Sequence, residues 1–86
     1  MKYFFVNLEL TDGEHSYTVH KVFAVPAEED LNHAIVGYLL DYFGGDTKQD
    51  RSNRLLFWDR GDVRCIKVSS TKEIPKEDYD VLTRYL

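Results

Sequence analysis

Residues 30–43 read DLNHAIVGYLLDYF, and the fold of this 86-residue chain turns on how that stretch is read. Leu31, Ala34, Ile35, Tyr38, Leu39 and Tyr42 recur at three- and four-residue steps, the period of one helical face. Val36, Leu40 and Phe43 widen the stripe, so the helix is expected to be covered on more than one side. Glu28, Glu29 and Asp30 stand at its start, where carboxylates complement the positive end of the helix dipole. Gly44 and Gly45 mark its stop, because glycine takes the left-handed cap conformation without a steric cost. Gly37 lowers helix stability by about 1 kcal/mol relative to alanine. It reads either as a tolerated weak point or as a site of close approach by a strand or partner.

A β-rich pair flanks the helix on each side. Tyr3 to Thr11 alternates: Phe4, Val6, Leu8 and Leu10 point one way, and Tyr3, Phe5, Asn7 and Glu9 the other. Asp12-Gly13 is a favoured hairpin turn, and Ser16 to Val25 returns as a second strand ended by Pro26. A two-residue loop would pair Leu8 with Tyr17. A four-residue loop, Asp12 to His15, would pair Leu8 with Val19 and Leu10 with Tyr17. Both registers bury the same side chains, because they differ by one full side-chain period.

After the helix, residues 45–53 hold no apolar side chain and read as a long solvated loop that could serve in binding. Leu55 to Trp58 and Val63 to Val68 read as a second hairpin around residues 59–62. Ser69 to Lys72 reads as a polar connection. Pro75 opens a final helix of about eleven residues in which Tyr79, Leu82 and Leu86 share a side. The order ββαββα predicts a single α+β domain over residues 1–86: a two-layer sandwich with a four-stranded, mainly antiparallel sheet, one main helix on one face and a short C-terminal helix. A β-grasp arrangement, with the first and fourth strands parallel at the sheet centre, is the preferred strand order.

Composition narrows the functional classes. A hydrophobic content of 43% fits a folded domain rather than a disordered chain. The apolar runs are too short for a bilayer span, and no membrane partner is expected. The first ten residues alternate like a strand and do not resemble a secretory leader, and one cysteine supports no internal disulfide. A cytoplasmic location is the resulting expectation. The net charge is −4 and no element collects the basic residues, so direct binding to nucleic acid is not expected. An acidic domain is suited to basic protein surfaces.

No catalytic or metal motif emerges. His15, His20 and His33 lack ligand spacing, and Asp30 beside His33 reads as helix-start capping. Cys65, on a strand, reads as a small buried side chain rather than a nucleophile. Residues 60–62 spell RGD and read as a hairpin turn. Neither a cofactor nor enzymatic activity is expected.

Two surfaces remain as candidate binding sites. With the helix over Phe4, Val6, Leu8, Val19, Leu55, Phe57, Ile66 and Val68, the opposite sheet face carries Tyr3, Phe5, His20, Val22, Leu56, Trp58, Val63 and Cys65. That face is too aromatic for plain solvent exposure. The final helix could fold over it, a second copy or another protein could dock on it, or bases could stack on it; the acidic balance disfavours the last. Tyr3, Phe5, Val22, Leu56 and Trp58 are its expected contact residues, with Trp58 the main anchor. The second surface is acidic: Glu28, Glu29, Asp41, Asp46 and Asp50 line the helix ends and the long loop.

The resulting expectation is a non-enzymatic protein that binds another protein with a basic surface. In its sharpest form it is a stoichiometric inhibitor or adaptor of a nucleic-acid-handling complex. Phage- and plasmid-encoded inhibitors of host nucleases, anti-CRISPR proteins among them, share this size and charge, although no motif links them to the chain. A homodimeric structural or regulatory module using the aromatic face is the second expectation, and a small enzyme the third.

Overall fold

A computed structural model describes residues 1–43, 47–53, 55–59 and 64–86. The main helix forms where its periodicity places it. A short 3-10 turn, Glu28–Asp30, leads into α1, Leu31–Phe43. Leu31, Ile35 and Leu39 are buried at four-residue steps, with Ala34, Val36 and Tyr38 packed beside them. The expected glycine stop at residues 44–45 lies outside the described residues. Gly37 faces open space, and a Cβ built there meets nothing within 4 Å. Among the described residues no strand closes on it.

The first hairpin pairs β1, Lys2–Asp12, with β2, His15–Val25, in an unbroken antiparallel ladder. Leu8 faces Val19 and Leu10 faces Tyr17, the second of the two expected registers. The ladder continues to Asp12 and His15, so the turn itself is Gly13-Glu14. Gly13 has φ +65°, a left-handed conformation that a Cβ would oppose.

Among the described residues the sheet has five strands rather than the expected four. β3, Lys48–Gln49, lies within the stretch read as a loop and pairs with β4, Leu56–Asp59. Such a short, wholly polar strand has no alternation of its own to reveal it. β4 pairs with β5, Arg64–Ile74, and β5 pairs with β1. The order is β2-β1-β5-β4-β3, antiparallel at every step. The β-grasp order is therefore corrected: β1 and β5 are neighbours, but they run in opposite directions. The extra strand β3 reverses the direction in which the chain arrives beside β1.

β5 also runs past the predicted end at Val68. Residues 69–72, read as a polar connection, continue the ladder along β1 to Tyr3 opposite Ile74. The register slips between Asn7 and Leu8, leaving Ser69 as the extra residue, and the Ser69 hydroxyl donates to the Asn7 carbonyl at 3.1 Å. Pairing to the open side of β1 overrides the weak strand propensity of this segment. α2, Lys76–Leu82, follows Pro75 and is shorter than expected. Thr83 Oγ1 bonds back to the carbonyls of Tyr79 and Asp80 at the point where the helix ends.

One core results. Phe4, Val6, Leu8 and Leu10 of β1, Phe23 and Val25 of β2, Phe57 of β4, and Ile66 and Val68 of β5 meet Leu31, Ile35 and Leu39 of α1. Each fully buried large side chain contributes roughly 1.5–3 kcal/mol of transfer free energy. Leu55 departs from expectation: it precedes β4 and is half exposed. Its carbonyl accepts from the Val68 amide at 2.8 Å, so its backbone rather than its side chain serves the sheet.

Candidate functional site

The second face of the sheet is divided. At one end α2 lies over β1 and β2, and the Tyr79 ring rests 4.8 Å from that of Tyr3. Val22 is buried there, and Tyr3, Phe5, Tyr79 and Leu82 are half-buried. Tyr3, Phe5 and Val22 therefore sit beside or beneath the C-terminal helix. Val81 stays exposed because so short a helix buries only one narrow side, and Tyr85, beyond its end, is exposed as well.

A polar row follows. His20 of β2, Asn7 of β1 and Ser70 of β5 lie side by side. His20 Nδ1 donates to Asn7 Oδ1, and Asn7 Nδ2 donates to Ser70 Oγ at 2.7 Å. The His20 ring stacks on Phe5 at 5.6 Å. The amide stands between imidazole and hydroxyl, so the histidine does not activate the serine.

Leu56 and Trp58 lie on β4, beyond this row, next to Lys67 and Cys65. The five expected contact residues thus form two groups, Tyr3, Phe5 and Val22 at the α2 end and Leu56 and Trp58 at the β4 end. Val63 lies outside the described residues. Trp58 is half-buried, and its indole Nε1 donates to Asp50 Oδ1 at 3.2 Å.

Asp50 is a structural acceptor. Its Oδ2 receives the Ser52 hydroxyl at 2.7 Å and the backbone amides of Ser52 and Asn53 at 3.0 Å each. The Ser52 hydroxyl and amide, then the Trp58 indole, hold its carboxyl below the usual carboxylate range. This local turn ties the loop that carries β3 to β4, and the Asp50 amide donates to the Leu56 carbonyl at 2.8 Å. Among the other acidic candidates, Glu28, Glu29 and Asp41 are exposed, and Asp46 lies outside the described residues. None of Glu28, Glu29 and Asp41 forms an ion pair among the described residues.

Cys65 is half-buried; burial and then the nearby Asp50 charge push its thiol up, so it stays protonated near neutral pH. Among the described residues, no group of three or more His, Cys, Asp or Glu side chains could hold a metal ion. No described helix is long and apolar enough to cross a membrane.

One feature escaped the sequence reading: an aromatic shelf beside β2 on the helix side of the sheet. Tyr38 meets Phe23 edge-on at 6.0 Å and Tyr42 at 5.8 Å, and Lys21 Nζ stands 5.2 Å from the Tyr38 ring centroid. Burial, and then the neighbouring Tyr42, push the Tyr38 hydroxyl up. Tyr42 falls on the apolar stripe of α1 yet is 67% exposed, and Tyr17 on β2 is 48% exposed. Lys21 was the available signal, since a charged residue in the core-facing row of a strand marks a sheet edge. Comparison with family models, curated proteins and solved structures returns no match.

Proposed function

We propose that this protein acts without catalysis, by binding another protein that presents a basic surface. In its sharpest form it is a stoichiometric inhibitor or adaptor of a nucleic-acid-handling complex, of the anti-defence kind that phages and plasmids carry. The carrying observation is the set of exposed carboxylates around α1. Glu28, Glu29 and Asp30 lie at its start and Asp41 lies three turns later, and all four are without an ion pair among the described residues. Asp30 and Asp41 fall on the same side of the helix, about 16 Å apart along its axis. A basic groove that normally tracks phosphates would meet these charges, at a rate and affinity that fall with salt.

The test is capture from nuclease-treated host lysate with the tagged protein, repeated with Glu28→Lys/Asp41→Lys. The expected result is one basic nucleic-acid-handling protein, held in near-equal amount by the wild type, released by raised salt and lost by the variant. Equal retention by the charge-reversed protein would remove the acidic-surface reading.

A further inference from the structure

We propose that β2 is a self-association edge, pairing with β2 of a second copy so that two five-stranded sheets join into one. β2 is the outermost strand on its side of the sheet and runs for eleven residues without a bulge. The two-residue turn makes Asp12 and His15 a hydrogen-bonded pair, and bonded and non-bonded pairs alternate from there. His15, Tyr17, Val19, Lys21, Phe23 and Val25 therefore spend their backbone groups on β1. Ser16, Thr18, His20, Val22 and Ala24 aim theirs outward, where among the described residues no other strand pairs with them.

Three observations favour a second copy as the occupant. The first is size. An antiparallel pairing centred on His20 overlaps the whole of both strands and forms five bonded pairs of two bonds each. That makes about ten hydrogen bonds, the number a stable protein–protein interface carries.

The second is charge. Two copies of a chain of net charge −4 approach best along a stretch without carboxylates, and HSYTVHKVFAV, residues 15–25, contains no Asp or Glu.

The third is side-chain fit. The two-fold axis of such a pair stands perpendicular to the sheet, so both α1 helices lie on the same face. Tyr17 of each copy then falls opposite Phe23 of the other, beside the Tyr38 and Tyr42 shelf, and aromatic cross-strand contact covers rings that are exposed in the single chain. On the opposite face the buried Val22, and Ala24, paired with the Tyr3 that packs on Tyr79 of α2, receive Thr18 and Ser16, both small side chains.

The test is sedimentation velocity of the untagged protein from dilute to concentrated solution, beside Thr18→Pro and Tyr42→Lys. Thr18 donates nothing to β1, so proline there blocks the outer edge and leaves the hairpin ladder complete. Tyr42→Lys removes an exposed ring of the shelf and leaves the β2 backbone intact, so it decides the matter if the proline variant does not fold. The expected result is a concentration-dependent mass approaching twice 10.1 kDa for the wild type, and 10.1 kDa for each folded variant. A wild type that stays at 10.1 kDa throughout, or a dimer that both folded variants retain, would overturn the proposal. Neither outcome bears on capture of a basic partner, so this proposal and the binding reading fail separately.

Discussion

The sheet ends in two unlike edges. On one side β3 offers two residues to a neighbour, and the loop that carries it is tied to β4 by the Asp50 carboxylate through Ser52, Asn53 and Trp58. On the other side β2 runs for eleven residues in perfect register, with one inward lysine as its only charged blunting device on the core side. Natural sheets manage their edges by shortening, charging or covering them. The β3 edge is shortened and locked. The β2 edge is flanked by aromatic rings instead, and it is the edge the proposed self-association would use.

The largest effect that breaks this comparison lies under the short edge. Phe57 of β4 is fully buried, so Phe57→Ala is expected to cost about 3–5 kcal/mol in urea unfolding. A loss below 1 kcal/mol, against that expectation, would mean that β4 and β3 are not seated on the core as described.

The long edge is weaker at its turn. Gly13→Ala places a Cβ at φ +65° and is expected to lose about 1–2 kcal/mol by the same assay. A neutral result would show that the turn takes a different conformation.

Gly37→Ala sharpens the contrast with the opposite sign. The site is open and helical, so alanine is expected to add up to about 1 kcal/mol. A loss there would reveal a contact on that side of α1.

The smallest effect concerns the lock itself. Asp50→Asn keeps the turn-forming oxygen and removes the charge, so the melting temperature falls slightly at neutral pH. The folded-state titration of Asp50 is depressed. Its contribution is therefore complete above the ordinary carboxylate range and is lost as pH falls through the lower folded value. Melts of wild type and variant should converge in acid, and a constant gap at every pH would contradict the assignment.

Much of the fold was legible because it rests on periodicity. Period four in residues 31–39 and period two in residues 4–10 specify the two layers, and both candidate hairpin registers gave the same core-facing side chains, while the choice between them came from the turn at Gly13-Glu14. What the sequence hid was set by pairing rather than pattern. Residues 69–73 are polar, and they are a strand because β1 needs a neighbour along its whole length; Lys48 and Gln49 are too few to show any period. That unseen strand also reversed the expected direction of β5. The candidate surfaces were legible as residues but not as patches. Only distance across three strands separates Trp58 from Tyr3, and only a carboxylate's partners distinguish Asp50 from Asp41. Tyr42 looked like core because its helical angle is right; the end of α1 reaches past the packed part of the sheet.

Residue-resolved amide exchange along β2, followed as the protein is diluted, tests the contrast between the edges most directly. In concentrated solution Ser16, Thr18, His20, Val22 and Ala24 should be as protected as their odd-numbered neighbours, and dilution should release the even set alone. If the even-numbered amides exchange freely at every concentration while the odd ones stay protected, the long edge is bare in solution and the account of it is wrong.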